Sequence, residues 1–192
     1  MNEIEVLKKA GGKIKHFKKK EVVFFESEHV FHYHFIVSGR VKMLNASETG
    51  KEYVHGIFSS GESFGEPALF GNENYPATAI AIEDCEIMVL EKSLFYQLLK
   101  KNFDYHLAFT EKLCKRLRYK TIMTYAISSL DAQERLLSLF AYLKEDQKIK
   151  NDENSYSVNL TRKEIAELTG LRIETVIRTV KKMVLENKLK MD

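Results

Sequence analysis

The chain has 192 residues, of which 44% are hydrophobic, 11% aromatic and 30% charged. This composition is typical of a folded globular protein and excludes a disordered or fibrous chain. The formal charge of +3, from 30 Lys and Arg against 27 Asp and Glu, is too small to indicate a nucleic-acid partner by itself.

The N-terminus has no apolar signal region, and no segment approaches the ~20 apolar residues of a membrane span. We therefore expect a cytoplasmic protein with reduced thiols and no membrane contact. Cys85 and Cys114 lie far apart, without a CxxC motif or a Cys/His cluster for zinc or an iron–sulfur centre. We predict no metal and no cofactor, and we expect Cys114 to be a buried, unreactive thiol.

Residues 21–92 have the pattern of strands and turns. Short segments rich in Val, Ile, Phe and Tyr alternate with turn residues, of which Ser38-Gly39 is the tightest pair. Many short strands at close spacing predict a sandwich, roll or barrel. The predicted strands are Val22–Phe25, Phe31–Val37, Val41–Leu44, Tyr53–Phe58, Ala77–Ile82 and Glu86–Leu90.

Residues 102–129 contain neither Gly nor Pro and predict one long helix of about 40 Å. Apolar and small residues recur along it at steps of three and four, as in a coiled coil. Such a helix is too long for a small domain unless something covers it, which favours a dimer helix over a core helix of its own domain. Two frames fit: one has Thr110, Leu113, Leu117, Thr124 and Ile127, and the other Leu107, Cys114, Leu117, Thr121 and Ser128.

The end of this helix marks a predicted domain boundary, which divides the chain into residues 1–129 and 130–192. Asp131, with Glu134 three residues later, is a candidate cap for the next helix. Later in the chain Thr161 and Glu164 repeat the capping pattern, and Gly170 fits the positive φ of a tight turn.

A second helix begins near Arg172 and buries Leu171, Val176 and Val180. Two helices joined by a short turn predict a helix-turn-helix, which presents its second helix to a DNA major groove. A helical hairpin with a charged outer face is the alternative.

The outward side of the second helix carries residues suited to DNA. Arg can bind guanine O6 and N7, Glu can accept from cytosine N4, and Ile can contact a thymine methyl group. The predicted base contacts are Arg172, Ile173, Glu174 and Arg178. The predicted phosphate contacts are Thr161, Lys163, Thr175, Lys181 and Lys182.

From about residue 13 to 190, the chain resembles the CRP/FNR family of transcription regulators. The stretches that carry the resemblance are residues 36–41, 61–70, 75–79 and 161–178. The resemblance implies an α+β chain with a jelly-roll-like antiparallel β-roll of the cyclic-nucleotide-binding type, a long dimer helix and a winged helix-turn-helix. It also implies a homodimer on a pseudo-palindromic operator, with double-stranded DNA, RNA polymerase and a small-molecule effector as partners. The predicted dimer-helix residues are Leu107, Thr110, Leu113, Cys114, Leu117, Thr121 and Thr124.

Two departures from the family pattern concern DNA binding. The family signature Arg-Glu-Thr-Val-x-Arg falls on residues 173–178, where Glu174 and Arg178 match the family's base readers and Ile173 replaces an arginine. The family wing follows the second helix, and the sequence stops at Asp192. We therefore expect a missing or truncated wing and reduced DNA affinity.

Another departure concerns the effector. Gly65-Glu66 match the family's phosphate cassette, but Tyr75-Pro76 stand where nucleotide-binding members have Arg-Ser or Arg-Thr. Because tyrosine carries no positive charge, a buried phosphate there would lack a cation. We expect an effector other than cyclic AMP, and we place Lys120 and Thr121 with these residues in the predicted effector pocket, since family ligand contacts fall near them.

Three histidines suggest a competing class of protein. His32 and His34 share one face of a strand, as in metal-binding cupin enzymes, and His29 lies nearby. A metal needs a third ligand, which the local sequence does not supply. We therefore expect exposed strand histidines and no enzyme. A cupin-like enzyme and a ligand-binding regulatory module without DNA activity remain the alternatives.

Overall fold

The computed structural model describes residues 2–48, 50, 52–71, 73–146 and 157–190. The chain forms two compact units, Met1–Phe109 and Thr110–Asp192. This division falls inside the long helix, whereas the predicted boundary at 129/130 lies at its end. The boundary between functional domains stays a prediction.

The first unit is built from antiparallel strands in two sheets of four, with the orders β1-β8-β3-β6 and β2-β7-β4-β5. In both sheets, strands distant in sequence lie side by side, which gives the predicted jelly-roll-like β-roll. The strands are β1 Lys13–Phe17, β2 Val22–Phe24, β3 His32–Ser38, β4 Arg40–Ala46, β5 Glu52–Ser59, β6 Ser63–Phe64, β7 Thr78–Ala81 and β8 Cys85–Glu91.

Three helices accompany these sheets: α1 (Glu3–Lys9), α2 (Glu66–Gly71) and α3 (Lys92–Lys101). Successive side chains of β3 point to opposite faces. Tyr33 stacks on Phe95 of α3 with ring centroids 3.9 Å apart. His34, the next residue, has the rings of Phe24 and Phe64 as neighbours instead, at 5.3 and 5.4 Å.

Two elements of this unit depart from the prediction of strands and turns over residues 21–92. β1 begins earlier, at Lys13, and has no fully buried side chain. β1 is held in the sheet by backbone pairing with β8, for example Lys13 with Val89. Such pairing does not require an apolar side-chain pattern, so the sequence gives only a weak signal for this strand. α2 is a short helix within the predicted strand region, and it buries Ala68 and Leu69.

The described part of the second unit, 110–146 and 157–190, contains helices and no strand. α4 (Phe103–Ser129) enters it from the first unit, and α5 (Ala132–Asp146), α6 (Arg162–Thr169) and α7 (Ile173–Leu185) follow. The predicted cap before α5 is confirmed, since the Glu134 N–H donates to Asp131 Oδ1 at 2.9 Å and the Asp131 N–H donates to Glu134 Oε2 at 3.4 Å.

All four helices contribute to one apolar core in this unit. The residues at its centre are 0–7% exposed, which makes burial of these side chains the main stabilising contribution. They are Met123 of α4; Leu136, Leu139 and Phe140 of α5; Ile165 and Ala166 of α6; and Val176, Val180 and Met183 of α7.

Candidate DNA interface and sensor site

The first helix of the helix-turn-helix, α6, begins with a reciprocal capping box. The Glu164 N–H donates to the Thr161 hydroxyl at 3.2 Å, and the Thr161 N–H donates to Glu164 Oε2 at 2.7 Å. These bonds satisfy two N–H groups that a helix start leaves free. The starting residue of α6 is thereby fixed, as predicted.

The turn between α6 and α7 depends on Gly170, which has φ = 65° in the left-handed region. A side chain there would be strained, because its Cβ approaches the backbone. The Leu171 N–H donates to the Ala166 carbonyl at 3.2 Å, which closes the turn. α7 then begins at Ile173, with Arg172 as its N-cap residue.

A guanidinium group that sequence reasoning missed joins this turn to other elements. Arg135 donates from Nη1 to the Thr169 carbonyl at 3.2 Å and from Nη2 to the Ile127 carbonyl at 3.0 Å. It thus links the ends of α4 and α6. Because the acceptors are backbone carbonyls, and that of Thr169 lies 34 residues away, no motif indicates this role.

α7 has a buried face and a charged face. Val176, Thr179, Val180 and Met183 are its buried residues. The opposite side is exposed, and it includes Arg172, Glu174, Arg178 and Lys181. Among the residues that the structure describes, these four side chains have no ion pair or hydrogen bond with another protein group. They are therefore available to an external partner.

The remaining predicted DNA contacts lie on α6 and α7 or at their starts. Lys163 forms an i,i+4 pair with Glu167 at 3.9 Å, and Lys182 forms one with Glu186 at 3.7 Å. Both lysines are exposed, and i,i+4 pairs on a helix contribute only about 0.3–0.5 kcal/mol, so both can turn to a phosphate at small cost. Ile173 is 38% exposed, Thr161 is exposed and Thr175 is half-buried.

α4 carries its own buried face and an exposed face on the other side of the helix. Tyr105 and Phe109 are buried in the first unit, and Met123 and Ala126 in the second. The predicted dimer-helix residues lie away from that face: Leu113 is half-buried, and the exposed ones are Leu107, Thr110, Cys114, Leu117, Thr121 and Thr124.

The exposure of the Cys114 thiol differs from the prediction made from the sequence. Cys114 is exposed and Cys85 is the buried cysteine. The prediction of a buried Cys114 is wrong because the residue lies on the exposed face of α4, among the predicted dimer-helix residues, and not in a core.

In the first unit, aromatic rings fill the space beside Gly65. This glycine has φ = 81°, and a Cβ on it would lie 3.2 Å from ring carbons of both Phe24 and Tyr75. Those two rings stack with centroids 3.6 Å apart and an interplanar angle of 10°. Tyr75 is only 4% exposed, and Glu66 is 3% exposed. The pair of rings therefore occupies the surroundings of the Gly65-Glu66 motif.

The other residues of the predicted effector pocket have separate positions. Pro76 is exposed, and its carbonyl accepts a hydrogen bond from Asn45 Nδ2 at 2.7 Å. Lys120 and Thr121 lie on α4 in the second unit. The Thr121 hydroxyl donates to the Leu117 carbonyl at 3.1 Å. Their part in an effector site stays a prediction.

A cavity of about 150 Å³ lies within the first unit. Its lining combines imidazole groups, a lysine, a carboxylate and aromatic rings. The polar and aromatic side chains along it include Lys15, Glu28, His29, His32, His34 and Tyr75.

His34 is buried, so the prediction of exposed strand histidines is wrong for this residue. It is 6% exposed and its Nδ1 has no hydrogen-bond partner. Burial, reinforced by the nearby His32 and Lys15, lowers the pKa of His34 to about 3. The imidazole is therefore neutral at physiological pH. The error arose because alternation fixes the face of a strand but does not show what covers it.

Metal binding by these histidines is not supported by their arrangement. Within the described ranges, no three His, Cys, Asp or Glu side chains are placed to hold a metal ion together. The Nδ1 of His29 lies 2.8 Å from Asn74 Oδ1. The cupin-like alternative therefore gains no structural argument.

Two family models match separate parts of the chain. Residues 14–102 match the family model described as a cyclic nucleotide-binding domain, and residues 134–190 match that of the Crp-like helix-turn-helix domain. The chain belongs to the CRP/FNR family of transcription regulators. This CRP/FNR protein is a DNA-binding transcription regulator, and the family's members are generally not enzymes.

Curated relatives agree with this CRP/FNR assignment. The cAMP-activated global transcriptional regulator CRP of Pasteurella multocida is 28% identical over 149 residues, covering 77% of this chain and 71% of that protein. The protein of the same name from Salmonella typhimurium is 26% identical over 173 residues, covering 89% and 82%.

Solved structures share the fold of this CRP/FNR chain. A mutant of CooA from Carboxydothermus hydrogenoformans matches with a TM-score of 0.80 at 20% identity, covering 97% of this chain and 81% of that one. FixK2 from Bradyrhizobium japonicum matches with a TM-score of 0.75 at 16% identity, covering 94% and 88%. In the portion of the regulator that the structure describes, every helix is too short or too polar to span a lipid bilayer.

The buried His34 makes a pH dependence of stability testable in this regulator. Its folded pKa of about 3 lies below the ordinary 6.5, so below pH 6.5 the unfolded chain binds a proton that the folded chain excludes. We expect the free energy of unfolding to fall by about 1.4 kcal/mol per pH unit from this group as the pH decreases from 6.5 towards 3.

The measurement is urea unfolding at pH 7 and pH 5, followed by circular dichroism. The His34→Phe variant should lose this part of the pH dependence, and the control His106→Phe, at an exposed position, should keep it. An equal pH dependence in wild type and His34→Phe would contradict the expectation.

Proposed function

We propose that this regulator is a cytoplasmic homodimer that reads a pseudo-palindromic operator with α7, and that its first unit senses an effector other than a cyclic nucleotide. The observation that carries the proposal is the exposed, unpaired side of α7, with Arg172, Glu174, Arg178 and Lys181. RNA polymerase is the further partner that action on transcription requires.

Base reading follows from the chemistry of that face. An arginine can take both guanine acceptors at once, and a glutamate accepts from the cytosine amino group. Arg178 and Glu174 are one turn apart and do not pair with each other. They can therefore face neighbouring base pairs, together with Arg172 and Ile173 near the start of α7.

Phosphate contacts hold the helix in register without reading sequence. The Thr161 end of α6 and the lysines Lys163, Lys181 and Lys182 border the reading face. Each cation that meets a phosphate releases a counterion, so the affinity should fall with increasing salt.

Pairing of two chains is supported by the exposed side of α4. Leu107 is 50% exposed and Leu117 is 69% exposed, and small side chains separate them at coiled-coil spacing. A second copy of α4 would cover these side chains. Two α7 helices in such a dimer would meet successive major grooves about 34 Å apart.

The effector proposal depends on two features of the first unit. A cyclic nucleotide needs space beside the Gly65-Glu66 motif, which the stacked rings of Phe24 and Tyr75 occupy. It also needs a cation for its phosphate, and Tyr75 stands where family members that bind nucleotides have arginine. The cavity beside His34 offers space for a small ligand.

The test of DNA reading uses full-length protein on an operator selected from random duplexes, with affinity measured by fluorescence anisotropy. Arg178→Ala should cost about 1–3 kcal/mol and relax specificity at one base pair. The control Lys181→Ala should weaken binding to all sequences alike and reduce the salt dependence. Equal, negligible affinity of the unaltered protein for every duplex would overturn the DNA proposal.

The dimer proposal is tested by placing a charge in the exposed face of α4. Leu117→Glu should shift the protein from dimer to monomer in analytical ultracentrifugation, because two carboxylates would meet across the interface. Lys115→Glu introduces the same group at an exposed position outside the predicted seam and should stay dimeric. Dimers of undiminished stability in Leu117→Glu would assign the interface elsewhere.

The effector proposal predicts no saturable heat when cyclic AMP or cyclic GMP is titrated into the protein by calorimetry. The Tyr75→Ala variant separates the filled space from the missing cation, because it opens space but supplies no cation. We expect no binding heat from this variant either. Binding by the wild type would refute the proposal, and binding by Tyr75→Ala alone would make the rings the sole obstacle.

A further inference from the structure

In its first two turns, α7 carries two large apolar side chains that are exposed. Ile173 is 38% exposed and Ile177 is 40% exposed. Because residues four apart on a helix are neighbours, the two form one apolar ridge. The ridge lies alongside the charged residues Glu174 and Arg178, which are also exposed.

The core of the second unit does not use this ridge. α7 contributes Val176, Val180 and Met183 to that core, each at most 2% exposed. Neither Ile173 nor Ile177 is among the side chains that pack against it. Exposed isoleucines cost solvation free energy in the isolated protein, and burial by a partner would recover it.

The charges around the ridge favour a polyanionic partner over an apolar protein surface. Arg172, Arg178 and Lys181 surround it, and all three lack ion pairs within the described residues. In the major groove of DNA the one apolar group on a base edge is the C5-methyl group of thymine. A ridge of isoleucine beside arginine therefore complements a groove that offers methyl groups beside a guanine.

We propose that Ile173 and Ile177 together read the methyl groups of two thymines about two base-pair steps apart in each half-site. This inference rests on the proposed DNA-binding function, and it specifies that α7 selects operators with thymines at these positions. Positions four apart on a helix are separated by about 6 Å along its axis. That distance spans about two base-pair steps of 3.4 Å.

The same ridge acts against guanine and cytosine. A guanine O6 or a cytosine amino group facing isoleucine loses water and gains no hydrogen bond, which is unfavourable. Selectivity thus has an attractive part, contact with the methyl group, and a repulsive part, dehydration of polar edges. An arginine at position 173 would reverse this preference, because it binds guanine.

The test first selects the preferred operator with wild-type, full-length protein from random duplexes. Each thymine of one half-site is then replaced in turn by deoxyuridine, which removes only the methyl group. We expect a loss of about fourfold in affinity at each of two thymines about two base-pair steps apart, as for one buried carbon, and no change elsewhere. The experiment uses unaltered protein, so misfolding cannot produce the result.

Variants assign the effect to the ridge. Ile173→Ala with Ile177→Ala should abolish the sensitivity to deoxyuridine while binding to non-specific duplex at low salt persists. Leu185→Ala serves as the control, because Leu185 is 84% exposed at the other end of the same helix, and it should keep the full sensitivity.

The outcomes separate this inference from the function on which it rests. Tight, sequence-specific binding with no loss at any deoxyuridine would overturn the methyl-reading ridge and leave the DNA-binding function in place. Deoxyuridine effects that persist in the double alanine variant would also overturn it. Absence of sequence-specific binding by the wild type would overturn the proposed function itself.

Discussion

The burial of one side of α7 in the core of the second unit is the constraint on which the DNA interface depends. Val176, Val180 and Met183 can be excluded from water only if the opposite side of the helix faces outward. The capping box fixes where α6 begins, and Gly170 ends α6 and forms the turn before α7. The charged face is therefore a consequence of apolar packing, and its residues contribute little to holding the fold together.

The first unit keeps part of a family motif in surroundings rich in aromatic rings. The β-roll keeps the Gly65-Glu66 motif, with positive φ at Gly65 and burial at Glu66. The stacked rings of Phe24 and Tyr75 fill the space beside Gly65. Phe64 and His34 lie next to that stack, so rings surround the glycine of the motif.

The sequence predicted best those features that local chemistry determines. A threonine cap, a glycine at positive φ and β-branched residues at fixed spacing define the helix-turn-helix within some twenty positions. β1 was missed because its order comes from pairing with β8, far along the chain. The burial of His34 and the link made by Arg135 depend on which distant groups pack nearby, and neither has a local signal.

The long helix α4 is held by a core at each end. Tyr105 and Phe109 anchor its first turns, and Met123 and Ala126 anchor its last, whereas no side chain in the described middle, 110–122, is buried. Isolated helices fray at their ends, whereas the ends of α4 are packed here, so we expect the middle to open first in a single chain. Backbone amides at the centre should exchange with deuterium sooner than those near either end, so the centre is where association with another molecule would leave its clearest mark of protection.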